Sequence, residues 1–229
     1  MNDTDFDIRA AMAGTLRGGR RDAWALVRGF AAYWGEPLTP EDGFTDADLD
    51  AAEQRLGLRL PVALREAYRL FGRRADLTSS QDVLLTPDEL HLLDGALVYR
   101  AENQGCAHWG VLLKDLAQED PPTVARPDLA DKSQERWEPW EERFSTAAAV
   151  MAMSEKLLED DELCDFLESE GELLDDFVEL PALGREFRWY GGPDVLVVAV
   201  GNSWISVRAR TPEALDALHE AVPGDWLSG

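Results

Sequence analysis

Four residues punctuate the stretch from 45 to 72 and leave it little conformational choice: Thr45, Gly57, Pro61 and Gly72. Between the first two, Leu49, Ala52 and Leu56 fall at i, i+3 and i+7, which predicts an amphipathic helix over 46–56. Thr45 supplies an N-cap oxygen, and Gly57 takes the left-handed position that ends such a helix. Pro61 opens a second helix, where its missing N–H costs nothing. Leu64, Ala67, Tyr68 and Phe71 form that helix's apolar stripe, and Gly72 stops it.

Downstream, a turn is expected at Thr86–Glu89, then short strands at Leu97–Tyr99 and Trp109–Leu113 with the polar run Glu102-Asn103-Gln104-Gly105 between them. In this order the joint AEQRLGLRLP, the segment REAYRLF and the segment AENQGCAHWG resemble the SUKH superfamily, which joins bacterial toxin-immunity proteins to fungal cell-wall-assembly regulators. Pro121-Pro122-Thr123-Val124, Trp137 or Trp140, and Phe144-Ser145 extend the likeness. It runs from about Phe44 to the C-terminus and leaves residues 1–35 outside. The resemblance implies a protein that acts by binding other proteins, without catalysis.

Residues 1–35 read as a helical extension. Ile8, Met12 and Leu16 form one stripe; Trp24, Val27, Ala31 and Trp34 form another that ends at Gly35. These stripes are expected to cover the flank of the main sheet, with a partner as the alternative. Gly35–Gly43 reads as a linker, and 36–229 as the SUKH-like domain. There a proline-rich crossing spans 119–127 and a helical stretch runs from about Gln134 to Leu158. Two acidic helices are expected next, one with Leu163, Phe166 and Leu167, the other with Leu173, Leu174, Phe177 and Val178, broken at Gly171. Val195–Val200, apolar on both faces, reads as a central strand, Gly201-Asn202 as a hairpin turn, and Ser203–Val207 as the returning strand. Thr211-Pro212-Glu213 starts a last helix with Leu215, Leu218 and Val222 inward. Helix and strand runs are segregated, so the expected class is α+β, with a mixed, mainly antiparallel sheet packed against helices.

Charge narrows the partners. Lys and Arg number 22 against 45 Asp and Glu, a net −23. Phosphate backbones and anionic membranes would be repelled, whereas basic proteins would be attracted. No run of eighteen apolar residues predicts a membrane span, and the acidic N-terminus lacks the order of a signal peptide, so a cytoplasmic setting is expected. Cys106 and Cys164 are expected as buried, reduced thiols. Glu155–Glu179 alone holds twelve acids and Lys156, a net −11.

Catalytic and metal motifs are missing from the sequence. His91, His108 and His219 are dispersed, and Cys106 with His108 lacks the surroundings of a thiol–imidazole dyad. The glycines of 14–19 lack a phosphate-loop lysine, and the acidic run fits no calcium-loop template. The chain is therefore expected to use no metal or other cofactor. Glu102-Asn103-Gln104 has two readings: side chains that fix the strand connection, which is preferred, or a polar floor for a partner.

The function expected on this basis is that of an immunity-type protein, blocking a cognate basic toxin domain such as a nuclease. The alternative is a regulatory scaffold module unrelated to toxins. Candidate contact residues are Asp160, Asp161, Glu162, Asp165, Glu168 and Glu172, with Glu102, Asn103, Gln104 and Trp109. Trp137, Trp140 and Trp189 are further possible anchors, each with core packing as the competing role.

Overall fold

A computed structural model describes residues 6–168, 177–192, 194–200 and 204–227. Helices α1 (Ile8–Arg17) and α2 (Arg20–Trp34) precede α3 (Asp46–Leu56) and α4 (Val62–Phe71). The expected punctuation is present: the Thr45 hydroxyl accepts from Asp48 N, and Gly57 sits at φ +69°. After the short α5 (Ala75–Thr78) comes a first sheet of β1 (Asp82–Leu84), β2 (His91–Leu93), β3 (Ala96–Glu102), β4 (Ala107–Leu112), β5 (Val124–Pro127) and β6 (Glu138–Pro139). Its order is β1-β3-β4-β5-β6, with β2 also pairing β3.

The helix expected from Gln134 begins only at α6 (Phe144–Leu157). Pro139 and the bonds that hold Trp140 N to Thr123 O, 2.9 Å, keep the preceding chain extended. All fourteen residues of α6 are buried. Its Ala-Ala-Ala and Ala152 let neighbours approach closely, and it packs against α2, α4, α5 and a strand of the second sheet. Arg143, just before α6, donates to Thr15 O at 2.7 Å and to Gly18 O, tying the end of α1 to the start of α6.

The second sheet contains β7 (Cys164–Glu168), β8 (Phe187–Gly191), β9 (Val195–Val200) and β10 (Trp204–Ala209) in the order β7-β10-β9-β8. Its inner face meets the main core through Trp189, Leu196 and Val198, while α7 (Pro212–Ala221) covers Leu167, Val197 and Val207 on the outer face. The protein is α+β, and every strand pairing among the described residues is antiparallel, in two sheets.

Residues 164–168, expected as helix, form β7. Leu163, Phe166 and Leu167 fit a helical stripe, but the free edge of β10 captures the segment as a strand through five paired positions. Leu173, Leu174 and the break at Gly171 lie outside the described residues. Phe177 packs on the outer core, whereas Val178, expected inward, is 59% exposed. Leu16 is likewise exposed, and so is Cys106; only Cys164 is buried. Helices α1 and α2 share one core with α3, α4 and α6.

Candidate interaction surface

The acidic run divides into internal and external acids. Glu155, fully buried near the end of α6, accepts from Gln81 N at 2.6 Å and from Arg100 Nη2 at 2.5 Å. Asp82 reaches the same guanidinium nitrogen at 3.0 Å. Burial pushes the Asp82 carboxyl up to about 6; Arg100 opposes the shift and Glu155 and Glu102 reinforce it. Next along the helix, Lys156 meets Asp76 at 3.2 Å and Glu159 at 2.5 Å. Glu159 also pairs with buried Arg208 at 3.1 Å, and Asp161 binds that guanidinium. Asp76 is held below the usual carboxylate range: burial works to raise it, but Arg74 and Lys156 outweigh burial. These acids are counter-ions for buried cations.

Of the expected contact residues, Asp165 is therefore misplaced by the sequence reading. It points under α7, fully buried, with its Oδ2 at 3.0 Å from His219 Nε2. Asp161 is engaged with Arg208, and Glu172 lies outside the described residues. Asp160, Glu162 and Glu168 are exposed and make no ion pair with any described residue. The acidic face of α7 was missed. Glu213, Asp216 and Glu220 stand at i, i+3 and i+7 on its solvent side, opposite Leu215 and Leu218. Reading the polar side of that helix as well as its apolar stripe would have found them. Residues 157–229 carry 17 acids against four arginines, whereas residues 1–35 carry four acids and five arginines.

The loop at 102–105 is built from within. Glu102 accepts from Gln104 N at 2.8 Å and Cys106 N at 2.9 Å, and Gly105 takes φ +77°. That arrangement gives Glu102 a connection-fixing role, while Asn103 and Gln104 face solvent. Asp82 pairs with Glu102 across β1 and β3, so the base of this loop and the end of α6 share the Arg100 cluster.

None of the expected tryptophan anchors is exposed. Trp109 is buried with its ring 4.7 Å from the Arg100 guanidinium carbon and edge-on to Trp140. Trp189 is fully buried and donates to Leu183 O at 2.6 Å, and Trp137 donates to Leu93 O at 3.2 Å. The outward tryptophan is Trp204, 47% exposed, in register with Glu168 on one side and Val200 on the other. It was hidden within an expected strand.

His91 and His108 stand edge-on, 6.5 Å apart, and burial holds His108 below the usual histidine range. Burial likewise pushes the Cys164 thiol up to about 12, leaving it a poor nucleophile. Among the described residues no three His, Cys, Asp or Glu side chains gather as a metal site requires, and no helix is long and apolar enough to cross a membrane. No family model matches the chain, and neither a curated protein nor a solved structure is significantly similar to it.

Proposed function

We propose that this chain is an immunity-type protein that neutralises a cognate basic toxin domain by covering it, without catalysis. The observation that carries the reading is the outward, unpaired acid of the C-terminal half. Asp160, Glu162, Glu168, Glu213, Asp216 and Glu220 stay in solvent while the neighbouring acids are consumed by buried cations. Trp204 beside Glu168 adds an aromatic anchor of the kind that concentrates binding energy. A domain that presents Lys and Arg to phosphate groups complements both features. The resemblance to the SUKH superfamily, which runs from about Phe44 to the C-terminus, supports the same function.

The test is protection. Cells expressing a basic toxin domain recovered with this chain from its native host should survive when this chain is co-expressed. Neutralising Asp160, Glu162, Glu168, Glu213, Asp216 and Glu220 to Asn or Gln should slow association about tenfold or more at low salt. Trp204→Ala should speed dissociation. Binding without protection would point to a scaffold role, and binding unchanged by all seven substitutions would overturn this surface.

A further inference from the structure

One surface has the opposite sign. On α2, Arg21 and Arg28 are exposed and form neither an ion pair nor a hydrogen bond with any described residue, in a chain with twice as many acids as bases. They rim two adjoining clefts of about 730 and 550 Å³ between α2, α4 and the 38–40 segment, which share Trp24, Arg28 and Glu66. Arg69, 56% exposed and only 3.5 Å from Asp46, closes the far end. The acids that line the clefts are already committed, Glu66 to Arg20 at 3.0 Å and to the Trp24 indole at 2.7 Å and Asp22 to the N-terminus of α2, and Glu119 is held by Arg20 at 2.8 Å; exposed Glu36 and Glu41 flank the 38–40 segment without lining either cleft.

We propose that this double cleft docks an extended acidic segment of a protein partner, independently of the acidic surface described above. Arg21 and Arg28 lie two helical turns apart, about 10 Å along the axis. Carboxylates three residues apart in an extended, polyproline-like segment are separated by about 9 Å on one face, close to that spacing. A single small anion cannot bridge it. Leu38 and Pro40, backed by the largely buried Trp24 and Leu70, line the second cleft with apolar surface, as a peptide requires and a string of phosphates does not. At 0.1 M salt the screening length is about 10 Å, so the distant acids weigh little against guanidinium groups in contact.

The experiment uses the full chain at 0.1 M salt and a fluorescein-labelled dodecapeptide with Glu at every third position. Its Gln counterpart and a labelled oligothymidylate serve as the other arms. The Glu peptide should bind saturably, and the Gln peptide about tenfold more weakly or less. Arg21→Glu with Arg28→Glu should weaken the Glu peptide at least tenfold while leaving the thermal midpoint unchanged, and Arg21→Lys with Arg28→Lys should retain most of the binding. No saturable binding of the Glu peptide, equal binding of the Gln peptide, preference for the oligonucleotide, or indifference to the charge reversal would each overturn the proposal. Salt-sensitive binding of a basic toxin domain would be untouched by these variants, so the two surfaces fail separately.

Discussion

Arg100 and Glu155 meet at 2.5 Å although 55 positions separate them, and neither reaches solvent appreciably. This contact joins the first sheet to the end of α6. It is the point at which β1, β3 and the central helix are locked together, because Glu155 also accepts from Gln81 N and Asp82 N.

Glu155→Ala leaves a buried guanidinium with Asp82 alone and orphans two backbone donors. Loss of one partner from a buried ion pair costs about 3–5 kcal/mol. Urea unfolding of the variant should show its midpoint falling accordingly; a change under about 1 kcal/mol would mean that water enters and substitutes for the carboxylate.

Asp82 gives stability a distinctive pH dependence. Its carboxyl rises to about 6 on folding, so the folded state holds the proton more tightly than the unfolded chain. The group's contribution is present below about pH 4 and is lost as pH rises through 6. Asp82→Asn removes that loss, so its stability relative to wild type should climb between pH 4 and 7, by about 1–2 kcal/mol after allowing for screening. Loss of the Arg100 contact adds a separate offset, so the slope is the diagnostic. Parallel curves for the two proteins would contradict the assignment.

How much of this was legible in advance varies by element. Helices α3 and α4 were readable because period and punctuation coincide at Thr45, Gly57 and Pro61, and β9 because six consecutive apolar-facing residues suit a strand between two others. The segment at 164–168 was not, because its spacing fits either period and only the edge of β10 decides. The division of acids was invisible for the same reason. Glu155 and Asp161 find Arg100 and Arg208 at separations of 55 and 47 residues, and no local pattern announces such partners.

Two glycines should respond differently to alanine. Gly57 has positive φ but open space around an added Cβ, so Gly57→Ala should cost about 1 kcal/mol through the backbone alone. At Gly43 the new methyl would collide with the Arg69 carbonyl, a backbone atom with no rotamer to escape by. Gly43→Ala should therefore cost well over the Gly57 change, about 3 kcal/mol or more. Denaturant midpoints that rank the two in the opposite order would show that the 39–43 turn moves aside.

Enlarging α6 should be costly on any side. Ala149→Leu and Ala152→Leu each place extra volume at a fully buried position, with an expected loss of about 1–3 kcal/mol. Calorimetry on both variants checks this; tolerance at either position would reveal slack between α6 and its neighbours.

The burial of α6 on all sides also sets an order of assembly. Trp34, at the end of α2, leaves the ribosome 110 residues ahead of Phe144. At about 5–20 residues per second, the apolar side of α2 waits roughly 5–20 s for the helix that will cover it. Through that interval the side of α2 that packs on α6 has no final partner, and nascent-chain chaperones would find their binding surface there. A ribosome stalled before residue 144 should consequently carry a protease-sensitive N-terminal segment that becomes resistant once Leu157 has emerged.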